Sequence, residues 1–165
     1  MSIQKDGYFG VMLDMSRNAV KTVDELKRFL PLLRKMGYNA LFLYCEDTYE
    51  VEGEPYFGYM RGRYSVAEMR ELDEFCDSIG IEVIPCIQTL AHLNTALRWE
   101  CFSPYSDTPN ILLADDDRTY ALIDAMLASV SSCFRSRRIH LGMDEAHSLG
   151  LGKHLDLHGY ERRFD

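Results

Sequence analysis

The segment Asn39-Ala-Leu-Phe-Leu-Tyr-Cys45 decides the fold class, because its side chains are almost all apolar and no polar alternation interrupts them. A strand that is apolar on both faces is typical of a parallel sheet that is covered on both sides. Glu46 and Asp47 follow directly, so the chain passes in one step from a buried strand to a charged loop. The segment therefore predicts a parallel α/β sheet with polar groups at the carboxyl ends of its strands.

Similar apolar runs recur along the chain and alternate with amphipathic stretches. Capping boxes at Thr22–Glu25 and Ser65–Glu68 predict helix starts, and Gly37 and Gly80 predict the corresponding helix ends. A third long helix is predicted over 116–133. The predicted strands lie at about residues 8–13, 39–45, 81–87 and 139–143.

Two prolines interrupt this pattern. Pro31 should kink or divide the first helix, because proline lacks the backbone N–H and clashes with the preceding turn. Pro85 should break the hydrogen-bond ladder near the end of the third strand for the same reason.

Strand–helix alternation predicts a parallel sheet with right-handed crossovers. Four βα units form either a small open sheet or half of an eight-stranded barrel. A complete (β/α)8 TIM-type barrel needs about 250 residues, whereas this chain has 165. We therefore expect residues 1–165 to form one α/β domain, a half barrel of four βα units.

The composition narrows the class of partner. A net charge of −8 and a pI near 5.1 argue against nucleic acid and anionic membranes, which are bound by clustered Lys and Arg. No run of 18 apolar residues predicts a membrane span. The segment 1–7 lacks an apolar signal core, and the five cysteines lack any Cys-x-x-Cys pairing. We therefore expect a cytoplasmic protein with reduced, buried cysteines.

Each predicted strand ends in polar residues, and such strand ends are where α/β folds hold their chemistry. Carboxylates and arginine bind hydroxyl groups, and a carboxylic acid can protonate a glycosidic oxygen, so the set suits a neutral polyhydroxylated ligand such as a sugar. Taken singly, each residue has an ordinary structural explanation, such as an ion pair between Asp14 and Arg17. In strand order, the set is Asp14 and Arg17; Glu46 and Asp47; Gln88, His92 and Asn94; and Asp144, Glu145 and His147.

Three of these motifs resemble glycoside hydrolase family 20, the β-N-acetylhexosaminidases. They are Gly10-Val-Met-Leu-Asp14-Met-Ser-Arg17, Gln88-Thr-Leu-Ala-His92-Leu, and the pair Asp144-Glu145 after His140-x-Gly142. The stretch 46–63 resembles the compact bacterial exo-acting branch of that family. Met143 departs from the pattern, because much of the family has a second glycine there.

The resemblance implies a retaining glycosidase with no nucleophile of its own: the 2-acetamido oxygen of the substrate attacks the anomeric carbon. By its position, Asp144 would orient the acetamido N–H. Glu145 would be the general acid, and afterwards the base that activates water. No metal or cofactor is implied.

The resemblance also assigns the remaining site residues. Arg17 would bind the 3- and 4-hydroxyls of the terminal sugar, in a substrate-binding group with Asp14 and Glu46. His92 would support the general acid together with Glu46 or Asp47, and of these two we assign Asp47.

The family's acetamido pocket uses several tryptophans and a tyrosine from later strands, whereas this chain has a single tryptophan, Trp99. We therefore expect these residues alone to be inactive. A half barrel also leaves sheet edges unpaired and an apolar face exposed, so we expect it to self-associate.

Two other interpretations share some of these residues. Asp144-Glu145-Ala146-His147 matches the acidic box of a nucleic-acid helicase, but the required phosphate-binding loop is missing, since Gly150-Leu-Gly-Lys153 has the wrong spacing. A non-catalytic carbohydrate-binding domain or a truncated scaffold would keep every site residue and differ only in lacking the opposite wall.

Overall fold

The computed structural model describes residues 7–162. Its central sheet contains three parallel strands, β1 (Gly10–Asp14), β2 (Ala40–Cys45) and β3 (Glu82–Ile87), which lie side by side in chain order. Residues 1–6 lie outside the described residues, and with them most of the segment 1–7 that is predicted to lack a signal sequence. The last three residues of the predicted domain also lie outside the described residues.

The helices follow the strands in the predicted alternation. A small antiparallel hairpin, which the sequence did not predict, lies between β3 and the last long helix. The elements are α1 (Val23–Lys35), α2 (Val66–Ser78), α3 (Asn94–Leu97), a 3-10 helix (Glu100–Tyr105), β4 (Ser106–Thr108), β5 (Ile111–Leu112), α4 (Asp117–Ser131) and α5 (Lys153–His158).

One face of the sheet packs against the helices and forms the core. Leu41 and Leu43 of β2 belong to the same buried cluster as Leu26 of α1 and Leu72 of α2. On the opposite face, Met12 of β1 is more than half exposed. The fold is therefore a partial α/β barrel, as predicted, whose inner face is open in residues 7–162.

The fourth predicted strand is present as a short continuation of the sheet. The segment 139–143 pairs with β3 through one parallel bridge, between Cys86 and His140. The His140 N–H donates to the Pro85 carbonyl oxygen, and the Ile87 N–H donates to the His140 carbonyl oxygen, each over 2.9 Å. Regular pairing stops at once because Gly142 takes a φ of +60° and turns the chain out of the sheet.

The predicted division of the first helix at Pro31 and the predicted break of the ladder at Pro85 are wrong. Helix α1 is not divided at Pro31 but runs through it, and β3 is continuous through Pro85, which keeps its register with Leu43. The Pro85 carbonyl accepts from His140, so the side of Pro85 that lacks an N–H faces the segment 139–143 and not β2. Pairing with that segment begins only at His140, and the missing donor costs no bond between β2 and β3.

All five cysteines are free, and four of them are buried as predicted. Burial raises the pKa of the Cys45 thiol to about 12, which keeps it protonated and unreactive. Cys101 is exposed, contrary to the prediction, because it lies in the surface 3-10 helix. In the described part of the chain, no helix has the length and apolarity needed to cross a membrane.

Candidate active site

A row of polar contacts joins the carboxyl ends of the strands. It starts at the buried side chain of Gln88, just after β3. Gln88 Nε2 donates to Asp144 Oδ1 and to the Tyr44 hydroxyl, each over 3.1 Å. The Tyr44 hydroxyl in turn donates to Glu46 Oε1 over 3.0 Å. The end of the fourth segment is thus connected to the end of β2 through β3.

Arg17 continues the row to the end of β1. Its Nη2 lies 3.3 Å from Glu46 Oε1, and its Nη1 donates to Asp14 Oδ2 over 2.7 Å. Its guanidinium also lies over the Tyr44 ring, 5.1 Å from the ring centroid. Arg17 is therefore held on three sides while about half of its side chain stays exposed. The six residues from Asp144 to Asp14 form what we call the polar row.

His92 stands between the two candidate catalytic carboxylates. Its Nε2 lies 3.6 Å from Asp144 Oδ2 and 3.4 Å from Glu145 Oε2. This nitrogen is buried and has no hydrogen-bond partner within the described residues, whereas the side chains of Asp144 and Glu145 are 59% and 65% exposed. His92 can thus interact with either acid, and both acids face open space.

The backbone is strained at this point. His92 has a φ of 59° and Glu145 a φ of 55°, a left-handed conformation that side-chain-bearing residues seldom adopt. Each such residue costs about 1–3 kcal/mol, and residues of this kind cluster at functional sites. The strain at Glu145 lets two consecutive acids, Asp144 and Glu145, face the same histidine, which a regular strand would forbid.

Hydrogen bonding and burial set the charge states of the residues in the polar row. The bond from Gln88 lowers the pKa of Asp144 and outweighs its partial burial. Burial opposes ionisation of Asp14, but hydrogen bonds from Ser16 N and Arg17 outweigh it and hold the pKa of Asp14 below its ordinary value. Burial raises the pKa of Tyr44 to about 12, so its hydroxyl keeps the proton that it donates to Glu46.

Asp47 lies behind the polar row. Its side chain is fully buried, and Oδ1 accepts from Arg61 Nε over 3.0 Å. Arg61 also donates to the Ser16 carbonyl, and Ser16 Oγ accepts from Glu46 N over 2.6 Å. Among residues 7–162, no hydrogen bond joins His92 to Glu46 or to Asp47, while Asp47 Oδ2 is buried without a partner. The support of His92 by Asp47 stays a prediction.

Gly142 lets Gln88 reach its partners. At a φ of +60°, a Cβ on this residue would collide with the Ile87 carbonyl oxygen and lie 2.7 Å from Gln88 Cδ. Any larger residue would displace the Gln88 amide, and with it the bond to Asp144.

The sequence placed most of this site but missed one residue and gave another no role. The sequence predicts Tyr44 only as part of a strand, whereas the register of the sheet pairs it with Asp14. That pairing, together with a tyrosine one residue from a strand end, is the signal that could have found it. The sequence predicts Gln88 at the rim but gives it no function. Of the other rim residues, Asn94 begins α3, and the His147 N–H donates to the Glu145 carbonyl oxygen over 2.8 Å.

The site opens into a shallow cleft of about 380 Å³, within the usual size range for small-molecule sites. Larger clefts exist elsewhere, at the N-terminal end of β3 and between α2 and α4, but neither is lined by a residue of the polar row. The cleft at the site is lined by Met12, Asp14, Arg17, Tyr44, His92, Asp144 and Glu145.

Comparison with known proteins identifies the class. The chain belongs to glycosyl hydrolase family 20: residues 7–155 match the family described as "Glycosyl hydrolase family 20, catalytic domain". Hexosaminidase D from Bos taurus is 30% identical over 147 residues, a match that covers 87% of this chain and 42% of that protein. The family resemblance inferred from the sequence is confirmed.

Solved structures of β-N-acetylhexosaminidases share the fold of this chain. The GH20 β-N-acetylhexosaminidase from Streptomyces coelicolor superposes with a TM-score of 0.74 at 26% identity, covering 84% of this chain and 33% of its own. A mutant Streptomyces plicatus β-hexosaminidase in complex with its product GlcNAc gives a TM-score of 0.75 at 26% identity, with the same coverage of 84% and 33%. The chain spans less than half the length of the relatives that it matches.

Proposed function

We propose that this chain supplies the first half of the active site of a β-N-acetylhexosaminidase, which removes terminal β-linked N-acetylhexosamine with retention of configuration. The observation that supports the proposal is the polar row, because it connects Arg17, the proposed sugar-binding residue, with Asp144, which is followed directly by the proposed general acid Glu145. The GlcNAc bound by the Streptomyces plicatus enzyme supports the same class of substrate.

Arg17 is built to hold the terminal sugar. Asp14 and Glu46 neutralise its charge and fix its plane. Its exposed N–H groups remain available to two neighbouring hydroxyls of a pyranose, with the fork geometry that suits bidentate recognition. Binding energy at this end orients the anomeric carbon toward Asp144 and Glu145.

The two acids divide the chemistry. Asp144, kept ionised by Gln88, accepts the acetamido N–H and directs the acetamido oxygen at the anomeric carbon. As that C–O bond forms, the glycosidic C–O bond breaks and Glu145 gives its proton to the leaving oxygen. Glu145 then takes a proton from the water that opens the cyclic intermediate. Family 20 is one of the known exceptions to the two-carboxylate scheme, because the substrate provides the nucleophile.

One wall of the site is missing from the described residues. Glu145 is 65% exposed, yet a general acid works best in a site from which water is excluded. We therefore propose that catalysis needs further residues that cover Asp144 and Glu145, and that residues 1–165 by themselves are inactive. The free cysteines suit a reducing compartment, and on that ground we propose a cytoplasmic location.

The decisive experiment compares an aryl N-acetyl-β-glucosaminide with the matching aryl β-glucoside. Both are offered to this chain and to any longer product of the same gene, with a Glu145→Gln variant as control. We expect only the longer form to act, only on the acetamido sugar, and Glu145→Gln to lose several orders of magnitude with a poor leaving group. Hydrolysis of both sugars at similar rates would rule out participation of the acetamido group. Binding of GlcNAc without hydrolysis by any form would favour a non-catalytic carbohydrate-binding domain.

A further inference from the structure

The loop that follows β2 folds back onto the end of that strand. Its two ends are joined by a parallel bridge between Tyr49 and Tyr64. In its middle, Gly58 has a φ of +68° and packs so closely on the Asp47 carbonyl oxygen that a Cβ would collide with it. We call residues 48–64 the return loop, because this packing returns it to the residue at which it leaves the site.

Arg61 is the part of the return loop that reaches toward the polar row. Its Nε donates to Asp47 Oδ1 over 3.0 Å, and its Nη2 donates to the Ser16 carbonyl oxygen. The side chains of Arg61 and Asp47 are only 19% and 1% exposed, so water competes little for these bonds. Met60, just before Arg61, has a φ of 59°. Such strain persists only where surrounding contacts over-determine the backbone, and the two bonds of Arg61 are contacts of this kind.

The bond to Ser16 fixes the peptide group from which Arg17 starts. The Ser16 carbonyl and the Arg17 N–H belong to one planar unit. The carbonyl accepts from Arg61, and the N–H donates to Asp14 Oδ1 over 3.2 Å. Ser16 is also held by its own N–H, which donates to the same Asp14 oxygen, and by its Oγ, which accepts from Glu46 N. The backbone of Arg17 is therefore fixed from both sides of one peptide plane.

The side chain of Arg17 depends on this fixed start. Its guanidinium meets Asp14, Glu46 and the Tyr44 ring at the same time, although the side chain is 54% exposed. A long side chain loses rotamer freedom when it is held in one orientation, so the three contacts persist only while the backbone stays in place. Arg61 does not line the cleft of the site. It therefore acts on Arg17 and not on a ligand.

We propose that Arg61 is a positioning residue that holds Arg17 in the orientation in which it binds the terminal sugar. This inference rests on the proposed function, because that function assigns the sugar to Arg17. It makes the return loop, which lies behind the polar row, a determinant of sugar affinity.

Arg17 provides a spectroscopic reporter of its own position. Its guanidinium lies 5.1 Å from the centroid of the Tyr44 ring, so the ring current shifts its side-chain NMR signals upfield. Arg61→Lys keeps a positive charge beside Asp47 but places all its donors on one nitrogen, which cannot span both acceptors as the guanidinium fork does. The Arg17 signals should then move toward their unshifted positions.

The same samples are titrated with GlcNAc. In Arg61→Lys the affinity should fall about threefold to tenfold, because the sugar must now immobilise one long side chain that was previously held in place. Unchanged Arg17 signals in a folded Arg61→Lys variant would overturn the proposal. Displaced signals with an unchanged GlcNAc affinity would overturn it as well.

Two variants serve as controls. Tyr64→Phe removes a second tie of the return loop, the hydroxyl that donates to the Lys21 carbonyl, and leaves Arg61 in place. Arg135→Lys changes another arginine that pairs with a buried aspartate, Asp73, away from the cleft of the site. Neither should move the Arg17 signals or the GlcNAc affinity, which separates loss of position from a loosened loop and from lost stability.

Asp47→Asn tests the same support from its other side. It leaves an acceptor for Arg61 but removes the charge, so the Arg17 signals should move in the same direction by a smaller amount. If Arg61→Lys does not fold, an Asp47→Asn variant with unmoved Arg17 signals would overturn the proposal.

Failure of this inference is distinguishable from failure of the proposed function. If a longer form hydrolyses the acetamido sugar while Arg61→Lys keeps the Arg17 signals and the GlcNAc affinity of wild type, only the role of Arg61 is lost. If no form binds or hydrolyses the sugar while the Arg17 signals still move in Arg61→Lys, Arg61 holds Arg17 for another purpose. The role in sugar binding is then overturned together with the proposed function.

Discussion

At the scale of single residues, Gln88 controls the charge of Asp144. Replacing Gln88 with Met keeps the shape but removes the donor, so the pKa of Asp144 should rise toward the ordinary value of about 4. A carboxylate with a lowered pKa keeps its stabilising bond above its unfolded pKa and loses it as the pH falls through the folded pKa. In Gln88→Met the bond is gone, so Asp144 should take up its proton at higher pH and this pH-dependent stabilisation should be absent.

Carboxyl NMR titration of wild type and Gln88→Met measures this shift directly. Asp116 is the internal reference: its pKa is lowered to about 2 by hydrogen bonds from Arg118, and it should titrate identically in both proteins. If Asp144 also titrates identically in both, the bond from Gln88 does not set its charge.

Gly142 gives a second prediction at this scale. Gly142→Ala combines an unfavourable φ with a collision against the Ile87 carbonyl, and should lower the free energy of unfolding by about 1–3 kcal/mol. Gly53→Ala is a matched control, because Gly53 has a φ of +83° but open space around it. Urea unfolding of both variants separates backbone strain from collision, and an equal loss in both would mean that close packing of Gly142 on Ile87 and Gln88 contributes nothing.

At the scale of elements, Asp107 of β4 fastens the C-terminal segment to the hairpin. Its buried carboxylate accepts from Gly150 N over 2.6 Å and from His154 N over 2.8 Å. Asp107→Ala leaves both donors without this acceptor, and each bond to a charged group is worth about 1.5–3 kcal/mol. Hydrogen exchange at the Gly150 and His154 amides should accelerate, while exchange in α1 should not change. Unaltered exchange at both amides would show that α5 is held in place by other contacts.

The sequence predicted a helix start well where all the residues that cap the helix lie close together in the chain. Ser65 and Glu68 form both bonds of the predicted capping box. At Thr22 only the hydroxyl bond forms, because Glu25 pairs with Arg28 instead. The β4–β5 hairpin was not predictable in this way, since its polar strand is held by the distant partners of Asp107.

The same distinction holds for the site. The polar residues at strand ends could be listed from the sequence, and the structure brings Asp14, Arg17, Glu46 and Asp144 into one row. Their order within that row could not be predicted, because it depends on the register that sets Tyr44 beside Asp14. The same dependence explains Pro85, whose missing donor matters only on the side of β3 that is paired.

At the scale of the whole molecule, the sheet is open at both sides within residues 7–162. No described residue pairs with the outer edge of β1, and Met12 and Met143 expose more than half of their side chains. Unpaired edges beside apolar surface promote association. We expect sedimentation velocity at micromolar concentrations to show concentration-dependent self-association, which Met12→Lys should reduce. A single monomer boundary across the concentration range would contradict this.

The hydrogen bonds of the polar row also have a direction. Gln88 uses both amide protons as donors, so the Tyr44 oxygen must accept from it and send its own proton to Glu46. A sugar that draws Arg17 away from Glu46 changes the strength of the hydrogen bond from Tyr44 to Glu46. Because Gln88 donates to both Tyr44 and Asp144, the bond from Gln88 to Asp144 changes as well. Occupancy at one end and acidity at the other are therefore thermodynamically linked, and the linkage is reciprocal. A bound sugar would thus adjust the carboxylate that orients its own acetamido group.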